Sequence, residues 1–169
     1  MRDLQAFEQY VLARWSTFHR LAILLTASEI ASQDLMQTTL EKAYVAWPKI
    51  STMAYPDAYV RRIMVNALVS THRLARHRHE FAAADPPERG VASGEDEVLD
   101  HAQLWPLICA LPTRQRAVIV LRYYEDLSER EIADVLRCSV GTVKSTAHDA
   151  MTALRRGISA VRVPEGSDR

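Results

Sequence analysis

Residues 127–154 contain the pattern of two short helices joined by a tight turn. Ser128 and Glu131 have the S-x-x-E spacing of a capping box at the start of a first helix, whose apolar rhythm ends at Leu136. Ser139 then offers the N-cap of a second helix. The apolar residues of that second helix recur at three- and four-residue steps and therefore share one face: Val143, Ala147, Ala150 and Leu154. The segment predicts a helix-turn-helix.

The opposite face of the second helix is small, polar and basic. At about 100° per residue, it carries six residues and no carboxylate: Gly141, Lys144, Ser145, His148, Thr152 and Arg155. Such a face can form hydrogen bonds without repelling phosphate, which is the property of a recognition helix in the major groove of DNA. An ordinary helical hairpin within a bundle is the alternative that this motif alone leaves open.

The composition excludes several classes of protein. The hydrophobic content of 48% is that of a globular chain rather than a disordered one. The longest apolar runs, such as residues 21–25 and 117–121, are too short to cross a bilayer, and the acidic N-terminus is unlike a secretory signal. Two cysteines, Cys109 and Cys138, do not make a disulfide framework, and we expect them to be small core residues. A cytoplasmic protein is therefore expected.

The charge is zero overall but unevenly distributed. Residues 81–100 hold one basic residue, six acidic residues, two adjacent prolines and two glycines, which is the composition of a linker. The flanking blocks are mildly basic and helical in rhythm. We expect an all-α chain of two small domains, covering residues 1–80 and 101–162, with a flexible acidic linker at 81–100 and a frayed tail at 163–169. A neutral chain gains little from counterion release, so it should bind DNA weakly by itself or only beside a partner.

Apolar spacing and helix-breaking residues predict the helices of both blocks. A loop is expected from Pro48 to Pro56, Asp57 is the expected cap of the helix after it, and Pro112 separates two helices of the second block. The expected helices cover residues 3–25, 32–47, 57–78, 101–110 and 113–124, followed by the two helices of the 127–154 segment.

The predicted helix at 57–78 is strongly basic. It carries five arginines and follows a loop that has Trp47, Tyr55 and Tyr59 around it. Aromatic and cationic groups together suit single-stranded nucleic acid, whose bases stack and whose backbone needs neutralising; a solvated basic face is the plain alternative. Asn66 is a candidate base reader, and a satisfied buried amide explains it nearly as well.

The sequence contains no pattern that indicates a metal site or a catalytic site. The spacing of His72, His77 and His79 is not that of a familiar zinc site, and no cysteine is near them in the sequence. No Gly-rich phosphate loop and no Ser/His/Asp or Cys/His arrangement can be placed. We therefore expect no metal, no cofactor and no enzymatic activity.

Two helical blocks, an acidic linker and a final helix-turn-helix resemble a bacterial RNA polymerase sigma factor of the extracytoplasmic-function class, similar to the actinobacterial sigma-E type. The resemblance spans roughly residues 5–160. LP-x-x-x-R, Y-x-x-x-x-S-x-x-E-I-A and S-V-G-T-V-K-S within residues 111–145 resemble region 4, which reads the −35 element. The resemblance to region 4 implies contacts to −35 DNA from Ser139, Gly141, Thr142, Lys144, Ser145, His148 and Arg155. Thr146 and Asp149 depart from the family pattern, because many members carry arginine or another base-friendly residue there.

The first block resembles region 2 of the same family. DLMQTTLEKAYVAW, residues 34–47, is similar to region 2.2, which binds the clamp helices of the polymerase β′ subunit; Thr38 stands where an acid is common. This implies core-polymerase contacts from Asp34, Leu35, Gln37, Thr38 and Glu41. The basic helix and the loop before it resemble regions 2.3 and 2.4, which open the −10 element. They imply contacts to −10 DNA from Ser51, Thr52, Tyr55, Arg61, Arg62, Asn66, Ser70, Arg73 and Arg76.

The resemblance implies a function and partners. The function is promoter-specific transcription initiation as a dissociable subunit of RNA polymerase, without bond chemistry. The partners are core polymerase, through its β′ clamp helices and β flap, promoter DNA and, at the level of the family, an anti-sigma factor. The rival hypothesis is a stand-alone helix-turn-helix regulator that binds duplex DNA as an oligomer, with residues 1–80 as a dimerisation or sensing domain.

Overall fold

In a computed structural model of the 169-residue chain, the described residues are 4–78 and 98–161. These two ranges are helical and contain no strand, which confirms the all-α prediction. The chain divides into two compact units, Met1–Pro86 and Pro87–Arg169. The predicted linker lies outside the described residues except for positions 98–100, which are helical rather than linker. The predicted tail at 163–169 also lies outside them.

The first unit is built from three helices that pack against one another: α1 (Leu4–Thr26), α2 (Glu29–Ile50) and α3 (Pro56–Arg78). The apolar faces of these helices meet in one core, as period-3.6 patterning requires. A fully buried Leu or Ile side chain contributes about 1.5–3 kcal/mol to such a core. The largest buried apolar side chains are Phe7, Phe18, Leu21, Leu25, Leu35, Met36, Trp47, Ile50, Val60, Met64, Val65 and Leu68.

Helix α2 is longer at both ends than the sequence analysis predicted. It begins at Glu29 rather than Ser32, because Ser28 is the N-cap and its hydroxyl accepts a hydrogen bond from the Ala31 amide at 3.3 Å. Ser32 is instead fully buried in the first turn. At the other end the helix continues through Pro48 to Ile50, so the predicted loop shrinks to residues 51–55. The proline removes one backbone donor, and the burial of Ile50 favours the continued helix.

Asp57 does not cap α3, contrary to the sequence-based expectation. Pro56 takes the first helical position, where its missing N–H costs nothing. The Asp57 carboxylate accepts a hydrogen bond from the Tyr10 hydroxyl at 2.8 Å and another from Arg14 Nε at 2.8 Å. Burial of the phenol, and then its bond to Asp57, raise the pKa of Tyr10. Asp57 therefore ties α3 to α1.

The second unit contains α4 (Val98–Cys109), α5 (Thr113–Ile119), α6 (Glu129–Leu136) and α7 (Val140–Val161). The predicted helix at 113–124 is interrupted, because residues Val120–Tyr124 form a π-helical turn closed by the Glu125 amide on the Val120 carbonyl at 3.1 Å. Helix α7 packs against α4, α5 and α6 and is the centre of the unit. The core contains Leu111, Val118, Ile119, Leu121, Ile132, Leu136, Val143, Ala147, Ala150 and Leu154.

A buried arginine closes the turn between α4 and α5. Arg116 is 6% exposed, and its Nη1 atom donates to the carbonyls of Cys109 at 2.9 Å and Leu111 at 3.1 Å. These acceptors lie at the C-terminal end of α4, where a cation is favourable. Cys109 itself is only half-buried, as is Cys138, so both thiols lie at the margin of the core rather than inside it.

Candidate nucleic-acid interface

The helix-turn-helix predicted from local spacing is present in the second unit. The Glu131 amide donates to the Ser128 hydroxyl at 3.3 Å, and the Ser128 amide donates to the Glu131 carboxylate at 2.8 Å, which completes the capping box of α6. Arg137, at φ 51° and ψ 52°, ends α6 in the left-handed conformation. Ser139 then caps α7, since its hydroxyl accepts from the Thr142 amide at 3.0 Å. Three residues thus make the turn and fix the direction of α7.

Helix α7 separates its apolar and polar faces as expected. The four apolar positions of its inner face are each at most 6% exposed, and they are Val143, Ala147, Ala150 and Leu154. On the opposite face Gly141, Lys144, Ser145, His148 and Arg155 are exposed, and Thr152 is half-buried. Ser139 is exposed at the turn and Thr142 is half-buried beside it. The structure therefore exposes six of the seven predicted −35 residues on the outer side of one helix and its cap, and Thr142 lies half-buried at the flank.

Gly141 has no internal reason to be glycine. Its φ is not in the left-handed region, and a Cβ atom built there would meet only the Ser139 hydroxyl oxygen, at 3.7 Å. Gly157, further along the same helix, is different, because a Cβ there would lie 2.5 Å from Leu107 Cδ2. Gly141 leaves the exposed surface of α7 without a side chain at this position. Gly157 leaves room for the neighbouring Leu107 side chain.

The recognition face has a carboxylate at its edge that the helical wheel of α7 does not include. Glu129, the first residue of α6, accepts a hydrogen bond from Arg122 Nη1 at 3.1 Å, and its other oxygen lies 3.7 Å from Lys144 Nζ. This connection joins three elements, so the spacing within any one of them could not have revealed it. Asp149 is also exposed on α7, and Thr146 is half-buried.

The predicted −10 residues divide between two sides of α3 and its loop. Ser51, Thr52 and Tyr55 are exposed in the loop, and Tyr55 is 80% exposed. On α3, Arg62 and Ser70 are exposed and Asn66 is half-buried; their spacing of four residues places all three on one face. The side chains of Arg73 and Arg76 lie outside the described residues, although their backbone belongs to α3.

Arg61 lies on a different side of α3 from Asn66, by about 140° at 100° per residue. It lines an open cleft of ≈ 340 Å³ with Arg14, Tyr55 and Asp57. Two basic residues near this cleft and loop were not among the residues predicted from the sequence. One is Arg14, and the other is Lys49, whose Nζ atom lies 5.3 Å from the centre of the Tyr59 ring. Lys49 was detectable in principle, because it lies two residues before the exposed loop; Arg14 was not, since it is 43 residues from its partner Asp57.

The predicted polymerase-binding residues on α2 do not all reach the surface. Asp34, Gln37 and Glu41 are exposed, and the Gln37 amide donates to Glu41 at 3.1 Å. Thr38 is half-buried. Leu35 is 6% exposed and belongs to the core of the first unit, so its side chain is not available to a partner.

The exposed face of α2 continues into a groove against α1. The groove has a volume of ≈ 510 Å³, and its lining includes Gln37, Glu41, Trp15 and His19. The Trp15 ring is stacked on the His19 ring, with ring centres 6.1 Å apart and planes 8° from parallel. Trp15 is 47% exposed. Sequence analysis missed Trp15 and His19, although a tryptophan and a histidine four residues apart share one face of a helix.

Among the helices within residues 4–78 and 98–161, none is long and apolar enough to span a membrane. Within the same described residues, no three His, Cys, Asp or Glu side chains are grouped so that they could hold a metal ion.

Comparison with known proteins identifies the family. Residues 101–154 match the family model described as Sigma-70, region 4. RNA polymerase sigma-E factor of Streptomyces coelicolor is 36% identical over 160 residues, which are 95% of this chain and 90% of that protein. The ECF RNA polymerase sigma factor SigL of Mycobacterium tuberculosis is 29% identical over 88% of this chain and 84% of that one.

A solved structure shares the fold. The sigma factor RpoE from Bartonella quintana, solved in complex with the anti-sigma factor NepR, aligns with a TM-score of 0.74 and 22% identity, over 94% of this chain and 100% of that one. Both curated relatives are named as sigma factors, and this chain matches most of the length of each. This does not favour the stand-alone regulator. This chain therefore belongs to the extracytoplasmic-function RNA polymerase sigma factors.

Proposed function

We propose that the two units act as two readers of one promoter, with α7 at the −35 element, α3 and its loop at the −10 element, and α2 on core RNA polymerase. The observation that carries the proposal is the outer side of α7 and its cap, where six exposed polar or small residues lie opposite a buried apolar face. The chain acts in the cytoplasm as an initiation factor and performs no bond chemistry.

Helix α7 has the chemistry to read a major groove. Lys144, Ser145 and His148 are exposed in its first half, so these side chains are placed to reach base edges. The Ser139 and Thr142 hydroxyls lie 2.8 Å apart at the N-terminal end, where backbone amides and the helix dipole favour a phosphate. Base contacts then specify the sequence, while phosphate contacts fix the register.

Helix α3 and the 51–55 loop suit unpaired bases. Tyr55 offers an exposed ring for stacking, and Asn66 offers both an amide donor and an acceptor on the same face as Arg62. Extruding a base costs a few kcal/mol, and capture of that base offsets the cost. Arg62 and the other arginines of the helix provide counter-charge for the phosphates that the opened strand carries.

The exposed part of α2 is the proposed surface for polymerase. Asp34, Gln37 and Glu41 present two carboxylates and an amide next to the groove that contains Trp15. This surface fits a basic helical partner such as the β′ clamp helices, which the family resemblance implies. Leu35 supports the surface from the core rather than touching the partner.

The chain is neutral and should bind duplex DNA weakly until polymerase supplies further contacts. The test mixes purified chain with core RNA polymerase on a set of promoter fragments and separates the complexes by native electrophoresis. We expect a ternary complex that needs both proteins. Tight, specific binding of the duplex by the chain alone, with no complex containing polymerase, would contradict the proposal and favour the stand-alone regulator.

We also propose an anti-sigma partner, as in the complex of the Bartonella quintana relative. A partner that covers α2 should compete with core polymerase for Asp34 and Glu41. Addition of core polymerase should then release the chain from a purified complex with that partner, and a partner that stays bound together with polymerase would contradict the shared surface.

A further inference from the structure

Glu129 links the recognition helix α7 to the segment that precedes α6. Its Oε1 atom accepts a hydrogen bond from Arg122 Nη1 at 3.1 Å. Its Oε2 atom lies 3.7 Å from Lys144 Nζ. One carboxylate therefore holds two cations, and one of these cations belongs to the face of α7 that we assign to DNA.

The contact between Glu129 and Lys144 is open to competition. Its distance is well beyond the about 2.7–2.9 Å of a tight charge-assisted hydrogen bond. The Lys144 side chain is 64% exposed and the Glu129 side chain is 29% exposed. An ammonium held loosely at one oxygen and largely in solvent can turn toward another anion. A phosphate oxygen offers the same kind of acceptor as the carboxylate.

We infer that Glu129 competes with DNA phosphate for Lys144 and thereby lowers the affinity of α7 for DNA of any sequence. The inference rests on the proposed function of α7. When Lys144 turns toward DNA, it leaves Oε2, and the carboxylate that it uncovers faces a polyanion. Both the lost ion pair and the new repulsion oppose binding. Weak intrinsic binding makes recognition by this unit depend on contacts made elsewhere, on polymerase and at the −10 element.

The opposite role would be positioning, in which Glu129 holds Lys144 in the direction needed for base reading. That role requires a short, directed contact. The distance of 3.7 Å and the exposure of Lys144 do not provide one. The two roles differ in sign, because loss of the carboxylate strengthens binding if Glu129 competes and weakens binding if it positions.

The substitution Glu129→Gln removes the charge and keeps the size of the side chain. It leaves the capping box of Ser128 and Glu131 in place, so α6 should still form. The matched control is Asp134→Asn, which removes the same charge from an exposed position of the same helix that pairs with no described cation. Lys144→Ala, alone and combined with Glu129→Gln, tests whether Lys144 transmits the effect.

The measurement is the affinity of the full chain for a random-sequence DNA duplex, by fluorescence anisotropy over a series of NaCl concentrations. Glu129→Gln should lower Kd roughly two- to fivefold at the lowest salt, the size expected for an exposed ion pair. The slope of log K against log salt should steepen by up to about 0.9, since Lys144 then neutralises a phosphate without abandoning an internal anion. Asp134→Asn should give a smaller gain, and the gain from Glu129→Gln should shrink when Lys144 is alanine.

Three results overturn the inference in distinguishable ways. If Lys144→Ala weakens binding but Glu129→Gln leaves it unchanged or weakens it, Glu129 is not a competitor, and the proposed function stands. If Asp134→Asn gives the same gain and the gain survives without Lys144, only net charge matters. If Lys144→Ala leaves binding unchanged both in the unaltered chain and in Glu129→Gln, the proposed DNA contact of Lys144 and the competition are both wrong. Circular dichroism of each variant shows whether it is folded.

Discussion

The two glycines of α7 should respond in opposite ways to the same substitution. Gly141→Ala places a methyl group 3.7 Å from the Ser139 oxygen, an ordinary van der Waals distance. Alanine also restricts the unfolded chain and favours helix, which is worth about 0.4–1 kcal/mol at a compatible site. The stability of the chain should therefore stay the same or rise slightly.

The same methyl group should weaken DNA binding. Gly141 lies on the exposed face at the N-terminal end of α7, where the helix would enter the groove. Insertion of a methyl group into a close-packed interface costs about 1–3 kcal/mol, and each 1.4 kcal/mol is about a factor of ten in affinity. The affinity of the polymerase complex for a promoter should fall roughly 5- to 150-fold.

Gly157→Ala is the matched control on the same helix. Its methyl group would lie 2.5 Å from Leu107 Cδ2 and 3.3 Å from Leu107 Cγ, so this side chain and its neighbours must shift. Overpacking of about 1–3 kcal/mol outweighs the propensity gain, and the variant should melt at a lower temperature than Gly141→Ala. Its recognition face is unaltered, so promoter affinity should be close to that of the original chain at temperatures where both are folded.

Thermal melts followed by circular dichroism measure stability, and native electrophoresis of polymerase complexes measures affinity. If Gly141→Ala lowers the melting temperature as much as Gly157→Ala does, Gly141 serves the fold and not DNA binding. If Gly141→Ala keeps full promoter affinity, the exposed N-terminal end of α7 lies away from DNA.

Three further predictions follow from contacts in the two units. Ser128→Ala removes the hydroxyl half of the capping box and should lower the free energy of unfolding by about 1 kcal/mol, as measured by urea denaturation; no change would mean that the cap contributes nothing to the second unit. Asp57→Asn weakens the bonds to Tyr10 and Arg14 and should cost roughly 1–2 kcal/mol by the same assay, whereas equal stability would show that α1 and α3 do not depend on this carboxylate. The folded pKa of Tyr10 lies above its ordinary value of about 10, so the neutral phenol stabilises the fold below that pH, and this contribution is lost as the pH rises above it. Tyr10→Phe should therefore flatten the alkaline fall in stability, and an unchanged fall would assign it to other groups.

Local spacing predicted those parts of the molecule that local interactions determine. The capping box at Ser128, the cap at Ser139 and the buried face of α7 follow from three- and four-residue steps, and each was found as expected. The first boundary of α2 was wrong because two serines four residues apart, Ser28 and Ser32, could each have been the cap, and the last was wrong because the helix continues through Pro48.

Contacts between distant residues were not predictable in the same way. Asp57 looked like a cap because it follows a proline, but its carboxylate is used by Tyr10 and Arg14, more than 40 residues earlier. Leu35 lies within the segment that resembles region 2.2, yet its side chain belongs to the core. The pairing of Glu129 with Lys144 also depends on how α6 and α7 pack, and the apolar pattern of each helix alone does not encode it.

Promoter opening by Asn66→Ala separates the roles that we propose for the two units. Permanganate detects unpaired thymines at the −10 element, and native electrophoresis detects the closed complex at the same promoter. We expect Asn66→Ala to form the closed complex with polymerase but to lose most permanganate reactivity, whereas Lys144→Ala should weaken formation of the closed complex itself. Full permanganate reactivity with Asn66→Ala, or equal losses at both steps for both variants, would contradict these roles.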